Sequence, residues 1–440
     1  MHTYKKIITL ALPIMLSVIF QTLQGTVDMI FVSWLGTDSA AAVILGNNLF
    51  GTVFTLNLFI SAGAMALLAR SYGKQDHEAI QKSTGEILIV TLLLSSLLSL
   101  LFTPNVGKMI QLLFNSAKET TALATPYTRL VMMTLPIPFF NVAFQTILRA
   151  HGDTKTGLYV FGSANIINMI LDPIFIFTLG LGIPGAAYAT ILSRAIAMVV
   201  MSHFVIKRVY DGHIRNCITH LTLTKEHFQR MFKIGGWASI QGIARPITGL
   251  LMFRLVTMVG GNSGTAAFGI GGQLFNYTFI ALSGLSVSMS ILTGHKLGEG
   301  DHNALDDIIK AGVHMAYLNM ILFIIPYILL PEPIFALFKS TPEVTALGVR
   351  YLRIVYCGVF FVVYPMVYGG VLQGAGDTKP AMTSSLIANV GFKLGCAYIL
   401  AIQLNLGLDG VWIAIALSVV VEAVSIMAAF RKNTWRTKEV

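Results

Sequence analysis

Three acids lie deep within apolar stretches of this 440-residue chain: Asp28, Asp172 and Glu422. An ionised side chain at the centre of a membrane helix costs roughly 2.5–3.5 kcal/mol on insertion scales, so each acid needs a compensating role. The surroundings of Asp172 indicate one. Asn168 precedes it by four positions and Asn165 by seven, a spacing that puts all three on one face of a helix. Thr190, in the following apolar stretch, adds a hydroxyl. Carboxylate, amide and hydroxyl oxygens suit a hard cation such as Na⁺, and two carboxylates sharing a buried site make a proton acceptor. The competing reading is that interhelical hydrogen bonds satisfy Asp28 and Asp172 and that the cluster only holds helices together.

Other charges are less specific. Arg245 falls in the seventh apolar run, Lys393 in the eleventh and Glu422 in the twelfth. Lys393 and Glu422 can pair structurally; alternatively Lys393 or Arg245 lines a cavity and admits anionic or zwitterionic substrates. Arg194 has the same ambiguity and receives no role. Glu86 lies near the end of its stretch and is expected to reach water. Pro13, fifteen residues before Asp28, removes a backbone hydrogen bond and can kink its helix.

Composition identifies the elements that must position these residues. Hydrophobic residues make up 55% of the chain and charged residues 11%, too little charge to cover a water-facing surface. Apolar runs at 8–34, 43–70, 83–105, 124–148, 156–180, 185–207, 232–259, 266–293, 308–330, 346–372, 380–404 and 410–430 are each long enough to span a bilayer as a helix. They are continuous rather than alternating, which excludes a membrane β-barrel. Twelve spans place both termini on one side. The segments of that side hold Lys5, Lys6, Arg70, Lys74, Lys82, Arg149, Lys155 and the basic run 207–233, among others, whereas the opposite loops hold only Lys108, Lys118 and Lys339. The positive-inside bias therefore predicts cytoplasmic termini in a multi-pass protein of the cell (inner) membrane. It also accounts for the net charge of +10 without nucleic acid. The apolar stretch after Lys5 and Lys6 is too long for a signal peptide and reads as the first span.

The chain repeats itself. "LRAHGDTKT" (148–156) has a near copy in "LQGAGDTKP" (372–380), and "YGKQDHEAI" (72–80), "ETTALATPYTRL" (119–130) and "LGIPG" (181–185) all recur at an offset of 224 or 225 residues. Asn165 faces Asn389. The expected architecture is an all-α membrane protein of twelve transmembrane helices in two six-helix lobes. An even number of spans gives both halves one orientation, related by pseudo-twofold symmetry along the membrane normal. The expected boundaries are an N-lobe at 1–207, a cytoplasmic linker at 208–230 and a C-lobe at 231–440. Gly-Asp-Thr-Lys is then a turn after the fourth span of each half, with Gly152 and Gly376 at helix ends and Asp153 and Asp377 capping the next helix.

Several signals carry no function. "GLGIPG" (180–185) fits a dinucleotide fingerprint but sits in a short turn between spans, and no phosphate-binding loop motif occurs. Cys217, Cys357 and Cys396 are scattered, the last two as packing residues, and the 10 His show no metal-ligand spacing. No nucleophile and base are arranged for an enzyme, no cofactor is implied, and a passive channel would need a continuous polar lining.

Two six-span halves, the paired "LRAHGDTK" and "LQGAGDTK" turns, "VDMIFVSWLG" in the first span and "NMILDPIFIF" in the fifth resemble the multidrug and toxic compound extrusion (MATE) transporters over nearly the whole chain. The N-terminal position of the deep acids is most similar to the DinF-like branch. The resemblance implies a monomeric exporter of small organic, amphipathic or cationic compounds, driven by H⁺ or Na⁺ and working by alternating access of two lobes. It implies that Asp28, Asn168, Asp172 and Thr190 form the cation site. Tyr127 and Gln145 would line the same pocket, Gln145 standing where relatives often have Asn. Bending at Pro13 would accompany protonation. Another branch carries acids in its seventh and tenth spans, where this chain reads "GWASIQGIARPI" and "FVVYPMVYGG" without one. A flippase for a lipid-linked or polysaccharide precursor shares the two-half architecture and is the alternative.

Overall fold

The computed structural model of the chain describes residues 2–114 and 118–438. It is all-α, with no strand among the described residues. The N-terminal half contains α1 (His2–Ser33), α2 (Thr37–Phe54), α3 (Leu58–Lys74), α4 (His77–Phe102), α5 (Val106–Phe114), α6 (Lys118–Met133), α7 (Pro136–Ala150), α8 (Lys155–Pro173) and α9 (Ile183–Val209). A short α10 (Ile214–Thr219) leads to α11 (Lys225–Glu299), α12 (His302–Leu329), α13 (Pro331–Ala336), α14 (Pro342–Val359), α15 (Val363–Gly374), α16 (Thr378–Ser385), α17 (Leu394–Tyr398) and α18 (Gly407–Arg431).

Among the described residues ten helical stretches are long and apolar enough to cross a bilayer, or eleven when α6 and α7, which meet at 45°, count as one bent span. The twelfth lies within α11. At about 1.5 Å per residue its length would be roughly 110 Å, several times a hydrocarbon core of about 30 Å. Gly261 breaks it with φ 56° and ψ −150°, a backbone conformation that glycine adopts without strain. The arms on either side match the separate runs 232–259 and 266–293. Long helices also present apolar side chains outward: Leu93, Leu97 and Leu100 on α4, and Leu318, Leu322, Ile325 and Leu329 on α12, are exposed. Spaced three and four residues apart, they form helix faces fit for lipid.

Two compact units emerge, Leu12–Gly235 and Met1–Ala11 with Gly236–Val440. The division does not fall at the expected 207 and 231. The linker packs with the N-terminal half, and the start of α1 packs with the C-terminal half, where the Tyr4 hydroxyl meets His314 Nδ1 at 3.1 Å. Pro13 lies inside α1, two residues beyond this boundary. In the N-terminal unit α2 packs on α6, α8 on α9, and α7 against α3, α4 and α9. In the C-terminal unit α18 is central, packed on α14, α15 and α16. Its fully buried Trp412 stacks on Phe268 at 5.8 Å and meets Tyr351 edge-on at 4.9 Å.

Three local expectations change. Glu86 does not reach water; it is 1% exposed and accepts hydrogen bonds from Thr224 N (3.0 Å) and Thr224 Oγ1 (2.6 Å), with His227 Nδ1 at 2.8 Å. The linker is thereby tied to α4, which explains its place in the N-terminal unit. The two Gly-Asp-Thr-Lys turns share left-handed glycines, Gly152 at φ 92° and Gly376 at φ 76°. Their acids differ: Asp153 caps α8 by accepting from Thr156 N at 3.0 Å, whereas Asp377 makes no side-chain cap and pairs with Lys438. Cys357 is exposed rather than packed, its thiol donating to Arg353 O at 3.1 Å.

Candidate functional site

The N-terminal unit encloses a cavity of about 420 Å³. Its polar wall comes from six helices, beginning with Gln21, Gln24 and Asp28 on α1, Asn47 on α2, Tyr127 on α6, and Asn141 and Gln145 on α7. Asn165 on α8 and Thr190 and Arg194 on α9 complete it. α2 approaches α6 closely because Gly46 faces Tyr127 and Thr128; a Cβ there would lie 2.4 Å from Thr128 Oγ1. That approach brings the Tyr127 hydroxyl to Asn47 Oδ1 at 2.9 Å. Thr190 lines the cavity, and its Oγ1 donates to Ala186 O at 2.9 Å, so that oxygen can still act as an acceptor.

Asn168 and Asp172 do not line this cavity. Both are 0% exposed and lie behind its wall, on the face of α8 that also carries Asn165. The Asn168 side chain lies within hydrogen-bond reach of both acids. Its Oδ1 accepts from Gln24 Nε2 at 2.5 Å and its Nδ2 donates to Asp172 Oδ1 at 3.4 Å. Turned over, the amide donates instead to Asp28 Oδ1 at 3.0 Å. Asp28 and Asp172 interact directly as well, and Arg194 is the cation facing Asp28. The Arg194 guanidinium also lies 5.6 Å from the Phe50 ring centre.

Among the described residues Asp172 Oδ2 has no hydrogen-bond partner, and the same holds for Asn165 Nδ2 and Gln145 Nε2. A buried, unsatisfied polar atom costs about 1–3 kcal/mol, more for a charged group. A carboxylate oxygen in that position is completed by a proton or a metal cation. Immediately after Asp172, Pro173 removes a backbone donor, and the helix continues as a π-segment, Ile174–Thr178. Such widened turns recur at functional sites.

Of the residues expected from the sequence, Asp28, Tyr127, Gln145, Asn165 and Thr190 line the cavity, with Asn168 and Asp172 behind it. Gln21, Gln24, Asn47 and Asn141 were not anticipated. Gln24 and Gln21 precede Asp28 by four and seven positions, the same helical spacing that singles out Asn168 and Asn165 before Asp172.

The C-terminal unit has a polar cluster of different composition. Arg245 Nη2 on α11 lies 3.4 Å from Glu422 Oε1 on α18. Asn389 donates from Nδ2 to Glu422 Oε2 at 3.1 Å, and its Oδ1 accepts from Lys393 Nζ at 2.5 Å. Lys393 and Glu422 thus connect through an amide, and the direct ion pair of Glu422 is with Arg245.

The MatE family model matches the chain twice, over residues 13–174 and 238–399. The chain is similar to a probable multidrug resistance protein, NorM, of Thermotoga maritima, 26% identical with 99% of this chain and 94% of that one covered. The probable multidrug resistance protein YoeA of Bacillus subtilis is 25% identical, with 97% and 93% covered. DNA damage-inducible protein F of Escherichia coli is 23% identical, with 97% and 92% covered. Among solved structures, a MATE protein in the straight conformation aligns with a TM-score of 0.88 at 25% identity, covering 99% of this chain and 97% of that one. One in the bent conformation aligns with a TM-score of 0.90 at 24% identity, covering 98% and 95%.

Proposed function

The chain belongs to the MatE family of multidrug-efflux transporters, and from that premise we propose that it is a secondary active exporter of small organic compounds in exchange for H⁺ or Na⁺. The observation that carries the proposal is the interacting pair of cavity-lining, half-buried Asp28 and fully buried Asp172, whose Oδ2 has no hydrogen-bond partner among the described residues. Thr190 and the cavity amides supply further neutral oxygens for a hard cation. A cation can drive transport only if it binds one conformation of the protein better than another, and a proton or Na⁺ taken up between two neighbouring carboxylates relieves their repulsion and so favours the conformation that holds them together. The relatives named for drug resistance weigh against a flippase.

The energetics suffice. A membrane potential of roughly 150 mV is worth about 3.5 kcal/mol per charge moved, enough for a substrate gradient of a few hundred-fold. Loop charges support a topology with both termini and the linker on the cytoplasmic side of the inner membrane, in a monomer working by alternating access. Labelling of a cysteine placed at position 215 by an impermeant reagent should therefore fail in intact cells; strong labelling would reverse the orientation.

Substrate efflux from proteoliposomes under an imposed H⁺ or Na⁺ gradient tests the coupling. Asp28→Asn and Asp172→Asn keep size and much of the hydrogen bonding but remove the ionisable group. Both should reconstitute at wild-type levels and lose gradient-driven efflux. Wild-type rates in both would reduce the pocket to a structural polar cluster.

A further inference from the structure

The charge balance of the C-terminal cluster is incomplete. It contains two cations, Arg245 and Lys393, and one carboxylate, Glu422. Both Glu422 oxygens are engaged, Oε1 by Arg245 and Oε2 by Asn389. Asn389 is engaged on both sides, since its amide also donates to Ser385 O at 3.1 Å. Lys393 therefore has a neutral amide oxygen as its hydrogen-bond acceptor, and no carboxylate pairs with it among the described residues. The charged groups facing it are Glu422 and Arg245. An ammonium offers three donors, so two remain for a ligand. The Arg245 side chain is 38% exposed and rests against the Phe279 ring, with guanidinium N–H groups to spare beyond the one given to Glu422.

The backbone is special at the same place. Asn389 and Lys393 lie on a π-helical segment, Leu386–Lys393. A second π-segment, Ile399–Gln403, has its counterpart in Ile174–Thr178 at the offset of the sequence repeat. Leu386–Lys393 has none: the equivalent part of α8 is an ordinary α-helix. The wide turn is thus a departure of this half from its duplicate, and it carries Lys393 and Asn389, the residue that stands between Lys393 and Glu422.

We propose that Lys393 and Arg245 form an oxyanion-binding site in the C-terminal unit, which takes the carboxylate or phosphate of an anionic or zwitterionic solute. The oxyanion accepts from Lys393 Nζ and from the free edge of the Arg245 guanidinium and neutralises the surplus positive charge, while Glu422 limits the site to one negative group. Charge-assisted bonds of this kind are short and strong. The inference deepens the exporter reading by naming a substrate class, and it rests on that reading only for the statement that the ligand is transported.

Binding of carboxyfluorescein to the full-length protein in phosphatidylcholine nanodiscs, followed by fluorescence anisotropy, tests it without any ion gradient. Saturable binding is expected, weakened at least about tenfold by Lys393→Met and preserved within about threefold by Lys393→Arg. Glu422→Gln, which removes the competing carboxylate, should tighten binding, and this holds the test open if Lys393→Met does not fold. Asp28→Asn should bind like wild type although it exports nothing, so failure of the coupling reading and failure of this one are separable. Binding unchanged in Lys393→Met, or weakened in Glu422→Gln, overturns the proposal. So does loss of binding when half the lipid is phosphatidylglycerol, because the occupant is then a lipid headgroup phosphate.

Discussion

The two units carry one repeated helix plan with opposite charge inside. The N-terminal unit places Asp28 and Arg194 on the wall of a cavity of about 420 Å³, with a second acid, Asp172, buried behind it. The C-terminal unit places two cations and one acid, Arg245, Lys393 and Glu422, around Asn389. Asn389 is the repeat partner of Asn165, so equivalent amides lie in surroundings of different sign. What duplication has kept is the scaffold: the glycine turns at Gly152 and Gly376, and the paired π-segments. What has diverged is the polar interior, where an acid costs as much in the second half as in the first and is kept only where it has a partner or a task.

Transport separates the halves most sharply. Asp28→Asn should lower gradient-driven efflux by about 100-fold or more, since one lost titrating group removes the driving ion. Glu422→Gln should change the dependence on the gradient by less than about threefold, its carboxylate being committed to Arg245 and Asn389. Equal losses in both, at matched reconstitution, would erase the contrast.

Stability should show the reverse order. Glu422→Ala leaves Arg245 and Lys393 without a counter-charge and exposes the amide of Asn389. A loss of about 1–3 kcal/mol is expected, after allowance for the partial exposure of Arg245. It would be read as a lowered Tm in detergent. Asp28→Asn should stay within about 1 kcal/mol of wild type, because the Asn168 and Gln24 amides can still bond to the new side chain. Lys393→Met in the Glu422→Ala background should restore part of the loss.

The smallest effect belongs to the turn that both halves share. His151 occupies the first copy, where the second has Ala375; burial, with Arg208 and His77 nearby, pushes its imidazole below the ordinary histidine value. A base whose folded value is depressed prefers to be neutral in the folded state. Its contribution is complete above about pH 6.5 and declines as pH falls from there toward the lowered value. The ring stands edge-on to Tyr72 at 4.8 Å. His151→Phe keeps that aromatic contact and should flatten the dependence of Tm on pH between about 5 and 7; an unchanged slope would assign it to other groups.

Much of the architecture could be read from residue order. Spans follow from continuous apolar runs, the repeat from matched polar turns, and the faces of α8 from the spacing of Asn165, Asn168 and Asp172. The same spacing test on α1 would have found Gln24. Three features were out of reach because they depend on long-range contact. Glu86 looks solvent-bound until the linker folds over it and supplies Thr224 and His227. Lys393 looks like the partner of Glu422 until a π-turn interposes Asn389 and α11 delivers Arg245. The unit boundary lies inside two helices, where composition does not change.

The proposed exchange of protons or sodium depends on a carboxyl group in the N-terminal unit. Infrared difference spectroscopy of the reconstituted protein, across a pH step and across Na⁺ addition, measures a buried carboxyl directly. A protonated-carboxyl band is expected that disappears on deprotonation or Na⁺ binding, is lost in Asp28→Asn or Asp172→Asn, and survives in Glu422→Gln. A band that persists in both aspartate variants and vanishes in Glu422→Gln would contradict this dependence.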